Sequence, residues 1–351
     1  MAVYGLKIFD VTLREGQKRT DLDFANPANN TKRPQSYLDM VDVDVRKEMR
    51  RRQKRLRHNN GSGSPTTEPG LVDLSTDRVD PEAGDIDPYT SVLRIEEAKR
   101  YRSATFFKAY YGRVGDHRRG IDPLDGEEDY DLTKRATARL YRAVLIAPPT
   151  GEWGLLAIEV ISRSHMSKQL PVRLQHTATA NKRAPYKLRL HGLVADEDAV
   201  EAFLKSAEVS EVEIKRRAVK DDSTGVEESS AKITFSIGKN SKNEKFLIGK
   251  LRTWFKDRKK RAEPSTEAQA VAAYLWKPLR DEEFDAITLK VTGGEGEVER
   301  LSPDSILEGF TYYLGEEELD DDEFLKEVKE RVDRLQLASG VDLSDDWCDD
   351  L

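Results

Sequence analysis

The chain of 351 residues has one cysteine, Cys348, which excludes an internal disulfide framework and any zinc site built from several thiolates. It also lacks a long apolar run, with no window near the roughly 18 consecutive apolar residues of a membrane-spanning helix. Its start, MAVYGLKIFDVTLREG, has no charged-then-apolar secretion signal. A soluble, cytoplasmic protein without direct membrane insertion is expected. Hydrophobic residues are scarce: 37% of the chain, and even with the 22 glycines added below the roughly 45–50% of packed domains. Part of the length is therefore expected not to pack. No GxxxxGK[ST] phosphate cradle and no G-x-S-x-G elbow occurs, so NTPase and α/β-hydrolase chemistry have no motif to rest on. Ser162, Ser164 and His165 lie close together without that elbow, which reads as polar surface.

What is abundant is charge, 35% of the residues, with 58 Lys and Arg nearly balancing 65 Asp and Glu. The balance hides segregation. Residues 46–58, RKEMRRRQKRLRH, sum to +7, residues 239–261 to +8, and residues 316–351 to −11. One charged block is ordinarily a solubility face. Two separate basic blocks, together with basic strand faces, point instead to a polyanion held through its phosphates. The candidate contacts are Arg50, Arg51, Lys54 and Arg55 in the first block. In the later segments they are Lys187, Arg189, Lys215, Arg217, Lys256, Lys259 and Lys260. Phosphate contacts position a protein without reading bases, so binding is expected to be sequence-independent. Phe246, Trp254 and Phe255 interleave with the second block, but the spacing of Trp254 and Phe255 places them on a buried helical stripe. The acidic end is a candidate intramolecular competitor for the basic face.

The pattern of apolar residues divides the chain. Val3 to Leu13 reads as a strand, and TSVLRIEE, ATFFKAYYGRV, LYRAVLIA and WGLLAIEVIS read as strands of a meander or small barrel. Residues 59–90, rich in Gly, Ser, Pro and acid, read as a disordered insertion that buries too little to offset its ordering entropy. A short helix is expected near Ser167 to Asn181. Alternation at Tyr186, Leu188, Leu190 and Val194 starts a strand with a basic outer face, followed by a helix through Val200, Phe203, Leu204 and Ala207. Strands EVEIKRR and Ala231 to Ile237 come next, then a helix over about Asn243 to Arg261. A hairpin around Gly293 and Gly294 and an acidic helix, Asp321 to Leu337, close the chain. The fold class is α+β: an N-terminal β-rich meander or barrel, then an α/β unit with basic strands. The expected divisions are 1–19 plus 91–183, the arm and insertion 20–90, the basic unit 184–263, and 264–351 with the hairpin and acidic end.

Two sets of residues bear on chemistry. IFDVTLREGQ, residues 8–17, resembles the DTTLRDGEQ signature of metal-dependent acyl-transfer enzymes of the isopropylmalate synthase type, with Asp10, Arg14 and Glu15 at the matching positions. That family also needs a His-x-His pair on an eight-stranded βα barrel, and the five histidines, at 58, 117, 165, 176 and 191, contain no such pair. Glu213 and Lys215 form an acid-x-Lys pair that, with Asp196 or Asp198 as an upstream carboxylate, suits a Mg²⁺-dependent nuclease. The bland alternative is an exposed charged strand face. No cofactor or resident metal is expected, and no catalytic residue is assigned.

The order of the meander, the KLRLHGLV strand, the Val200 to Ala207 helix and the basic VEIKRR strand is similar to that of RexA-like phage exclusion proteins. KwaB-type defence effectors share a looser likeness. The resemblance runs from about Tyr89 to Arg261 and departs from the pattern in the 20–90 segment and the acidic C-terminus. It implies a sequence-independent DNA-binding protein, often a homodimer, that responds to phage replication and acts beside a membrane protein or a repressor. A nuclease effector and a non-enzymatic adaptor, with the 316–351 segment meeting a basic partner, are the alternatives.

Overall fold

The computed structural model describes residues 2–29, 35–59, 91–114, 119–120, 130–131, 136–162, 164–177, 186–195, 197–216, 231–256, 263–280, 282–292, 298–303, 310–339 and 347. The protein is mixed α+β and divides into two units, Met1–His191 with Leu314–Leu351, and Gly192–Tyr313.

The first unit is built on antiparallel strands: β1 (Tyr4–Glu15), β3 (Ser91–Arg100), β4 (Ala104–Val114), β7 (Ala136–Ile146) and β8 (Trp153–Ile161). The sheet order is β14-β1-β8-β7-β4-β3, where β14 is Tyr312–Gly315. Two short strands, β2 (Asp21–Leu22) and β9 (Tyr186–Leu193), also pair with β1. This is a meander rather than a barrel, since the path ends at β14 and β3. The remaining two-residue strands, β5 (Arg119–Gly120) and β6 (Tyr130–Asp131), pair with each other.

Period-two alternation gives the sheet two buried faces. On one, Val11, Leu13, Leu93, Phe107, Ala143, Leu145, Leu156 and Ile158 form a core with helices α1 (Tyr37–Asn59) and α2 (Gln169–Thr177). Ser36 caps α1, accepting from the Asp39 N–H at 3.2 Å. Tyr37, Leu38, Val41 and Val45 then recur on one buried stripe. Phe24 and Tyr37, expected in the unpacked arm, are tied to the β7–β8 turn. Phe24 N–H donates to Gly151 O at 3.0 Å and Tyr37 N–H to Phe24 O at 2.8 Å. The Phe24 ring lies against Gly154, where an added Cβ would stand 3.4 Å from it and 2.6 Å from Ile146 O, so this close approach requires glycine. The arm is thus a packed half-helix followed by a basic end. Of the expected disordered insertion, 59–90, Asn59 ends α1 and residues 60–90 lie outside the described residues.

The opposite face of the sheet receives α6 (Asp321–Ser339). A capping box starts this helix: Glu323 N–H donates to Asp320 Oδ1 at 2.8 Å, and Asp320 N–H to Glu323 Oε2 at 2.9 Å. Phe324, Leu325, Val328, Val332 and Leu335 are buried, as their spacing predicts. Beneath them Arg142 on β7 is clamped by Glu159 on β8, with contacts of 2.5 and 3.2 Å. Arg142 also donates to the carbonyls of Leu319 and Asp320 and lies 4.8 Å from the Phe324 ring. Both charges are buried, so the pair holds only because each partner is neutralised and hydrogen-bonded. Trp347 is buried as well, donating from Nε1 to Asp333 at 3.0 Å.

The second unit holds α3 (Glu197–Ser206), β10 (Glu208–Arg216), β11 (Ala231–Ser236), α4 (Lys242–Lys256), α5 (Pro264–Leu275), β12 (Ala286–Thr292) and β13 (Val298–Leu301). The strands form an antiparallel sheet in the order β11-β10-β12-β13. Val209, Val212, Ile214, Ile287, Leu289 and Val291 share its buried side, with α4 against β10 and α5 against β12. The other side is polar. The boundary expected at residue 184 falls after His191 in the structure, because the strand that starts at Tyr186 pairs with β1. The acidic helix likewise belongs to the first unit. Among the described residues no helix is long and apolar enough to cross a membrane.

Candidate nucleic-acid interface

The basic block at 239–261 folds into α4 because two signals coincide. Ser241 accepts from the Glu244 N–H at 3.1 Å and the Glu244 carboxylate reaches back to the Asn240 N–H, a capping box that fixes the start. Leu247, Leu251, Trp254 and Phe255 then bury one stripe, so Trp254 and Phe255 are core, as expected. With that face committed, Lys242, Lys245, Gly249, Arg252 and Lys256 fall at alternating steps of three and four on one exposed face. At 1.5 Å per residue this stripe is roughly 21 Å long.

None of its four cations has an acidic partner among the described residues. The one acid within α4, Glu244, is buried and used by the cap. Gly249 lies in the middle of the stripe, and a Cβ there would meet nothing within 4 Å. No packing constraint accounts for a glycine that costs an exposed helix about 1 kcal/mol relative to alanine. It leaves the helix backbone open to close approach.

The basic strands differ from this helix. Lys215 and Lys232 both grip Glu213, at 3.0 and 2.5 Å, and Glu213 is only 5% exposed. Hydrogen bonding from Lys232, and then from Lys215, holds the Glu213 carboxyl below its ordinary range. Arg216 pairs with Glu282 at 2.7 Å; off the strands, Lys239 pairs with Glu208, and Lys250, on α4 but outside the stripe, pairs with Glu267 at 2.9 Å. Lys215 is thus largely neutralised. The acid-x-Lys pair is an internal ion triad, with Asp198 on the exposed side of α3, and Asp196 lies outside the described residues. Among the described residues, no group of three or more His, Cys, Asp or Glu is placed to hold a metal ion.

The other expected contacts are distributed over the molecule. Lys256 ends the α4 stripe, while Arg217, Lys259 and Lys260 lie outside the described residues. Arg50 and Arg51 are exposed on α1 beyond its packed half; the side chains of Lys54 and Arg55, farther along that helix, are outside the described ones. Lys187 and Arg189 lie on β9 in the first unit, whereas Lys215 lies on β10 in the second. Lys242, Lys245 and Arg252 did not stand out from charge sums alone; the three-and-four spacing is the signal that finds them.

Beside Arg189, the residues of the acyl-transfer-like segment form a structural lock. Arg14 pairs with Asp21 at 2.5 Å, and His191 Nε2 lies 2.7 Å from the Thr12 hydroxyl, with the exposed Trp153 ring 4.7 Å from the imidazole. Arg14 holds the Asp21 carboxyl down, aided by a hydrogen bond from Thr12. Partial burial, reinforced by Arg189, holds His191 below its ordinary pKa. Asp10 has a buried Oδ1 without a hydrogen-bond partner, and burial pushes its carboxyl up to about 6. These groups tie β1 to β2 and β9. His165 pairs with Ser167 at 2.9 Å rather than with Ser162 or Ser164, and burial lowers its pKa to about 4. Comparison with protein-family models, curated proteins and solved structures finds no match to this chain.

Proposed function

We propose that the chain is a cytoplasmic, sequence-independent DNA-binding protein that grips phosphates through the exposed face of α4, and that it takes part in phage exclusion. The observation that carries this reading is the stripe Lys242, Lys245, Arg252 and Lys256, four cations without acidic partners among the described residues, whereas Lys215, Arg216, Lys232, Lys239 and Lys250 are all paired. An unpaired cation gains by releasing the counterions of a polyanion, whereas a paired one must first give up its carboxylate. Contacts to phosphates position a protein without reading bases, so binding without sequence readout is expected. Lys187, Arg189, Arg50 and Arg51 are further contacts in the first unit.

The role in exclusion, the homodimer and a membrane-protein or repressor partner follow from the element-order resemblance and belong to the same proposal. Binding is tested with two duplexes of unrelated sequence over a salt series. Equal affinities that fall linearly on a logarithmic salt scale support the reading, and absence of binding at low salt removes it. Plating phage on cells that express the protein, with and without the four stripe cations, tests exclusion: equal plating on both sets counts against it.

A further inference from the structure

The stripe on α4 borders a set of aromatic rings that duplex binding leaves unused. Phe246 is half-buried and shares its helical face with Lys242, Gly249 and Lys250, the residues four before, three after and four after it. Its ring stacks on that of Tyr274 from α5, with centroids 3.7 Å apart and planes 12° from parallel, and Lys250 Nζ lies 6.0 Å from the Phe246 ring. Tyr274 is 46% exposed and Trp276, two residues on, is 52% exposed, the two most exposed large hydrophobic side chains among the described residues.

The shelf is held rigidly. At Trp276 the chain leaves α5 in an extended conformation while the Trp276 N–H still donates to Ala272 O at 2.9 Å. The single 3-10 turn that follows, Lys277–Leu279, is anchored by buried Leu279, whose N–H donates to Trp276 O at 2.9 Å. Lys277 and Arg280, one and four residues after Trp276 in the chain, are exposed. Burial offers no reason to keep two large rings in water, and a rigid ring loses little entropy when it is covered.

Resting on the DNA-binding reading, we propose that the second unit takes single-stranded DNA: unpaired bases stack on Tyr274 and Trp276 while the α4 stripe tracks the phosphates. The charge of the stripe calls for a polyanion, and free ring faces call for a π-system. In duplex DNA the bases are stacked on one another inside the helix, whereas in a single strand each base has a face to offer. Stacking tolerates every base, in keeping with the absence of sequence readout.

The experiment compares oligo(dT) with a duplex of equal length by fluorescence anisotropy on the full chain, using wild type, Tyr274→Ala with Trp276→Ala, Trp276→Phe, and Lys245→Ala with Arg252→Ala. The expected result is tighter binding of oligo(dT) than of duplex. The aromatic double variant should lose tenfold or more on oligo(dT) with duplex affinity and salt slope unchanged, and Trp276→Phe should restore most of the loss. The charge variant should weaken both ligands. Equal loss on both ligands in the aromatic variant, or no loss on either, overturns the inference while leaving duplex binding standing. If wild type binds neither ligand, the DNA-binding reading itself falls.

Discussion

Helices α4 and α6 use the same construction and reach opposite ends. Each begins with a capping box, Ser241 with Glu244 and Asp320 with Glu323, and each buries a stripe of large apolar residues. The difference lies in where their charges go. On α6, Arg331 pairs with Glu327, Arg334 with Glu330 and Lys329 with Asp333, while Asp321 takes Lys108 on β4 and raises that amine's pKa. On α4, four cations of one stripe have no acidic partner among the described residues. Charge density alone therefore does not mark a binding surface. The −11 of the C-terminal segment is in part structural, and the acidic competitor expected from the sequence is, in its described part, a helix docked on the first unit's sheet.

The largest effect is predicted where charge is structural. Arg142→Leu leaves Glu159 buried without its cation and cuts the anchor of α6. Unfolding in denaturant should show a loss of about 3–5 kcal/mol, and a loss under about 1 kcal/mol would mean that the clamp does not hold the helix. Next comes the stripe: Lys245→Glu with Arg252→Glu should lower duplex affinity about a hundredfold at low salt, by analogy with the loss of several phosphate contacts. The stability of this variant should stay within about 0.5 kcal/mol of wild type, as for exposed charges.

A carboxylate without a cation sharpens the contrast from the other side. Asp10 has a folded-state pKa of about 6 against an ordinary 3.8, so between these values the folded protein binds more protons than the unfolded one. Its protonated form fits the fold, and stability falls as pH rises through about 6. Asp10→Asn should raise stability at pH 7.5 by about 1–2 kcal/mol and change little at pH 4. A gain that is equal at both pH values would contradict the burial of that charge. The smallest effect is at Gly249: Gly249→Ala should stabilise the protein by about 0.5–1 kcal/mol yet weaken DNA binding a few-fold. Unchanged affinity would remove the close-approach argument for that glycine.

Much of the fold was legible because its strands obey period two. The runs of β3, β4, β7 and β8 stand out in ATFFKAYYGRV and its neighbours, and the stripes of α4 and α6 follow the helical period. The packed half of α1 did not stand out, because Tyr37, Leu38, Val41 and Val45 are framed by an Asn-rich stretch and a dense basic run that dilute the apolar signal. Nor does a strand's own pattern name its partner: Tyr186–Leu193 reads as the start of a second unit but pairs with β1, far away in sequence. The site was legible as spacing and not as availability. Whether a lysine is free depends on acids brought in by folding, such as Glu213 for Lys232 and Glu267 for Lys250, which composition alone cannot assign. The exposure of Tyr274 and Trp276 was hidden for the same reason, since AVAAYLW looks like core until α5 turns its far end to solvent.

The central claim is that pairing decides which cations meet DNA, and its most direct test is the salt dependence of duplex binding in two variants matched for charge. One removes two cations that are unpaired among the described residues, Lys245→Ala with Arg252→Ala; the other removes two from exposed ion pairs, Arg216→Ala with Lys239→Ala. With about 0.9 counterions released per phosphate contact, the first should flatten the logarithmic slope by nearly two and the second should leave it unchanged. Equal slopes in the two variants would contradict the account.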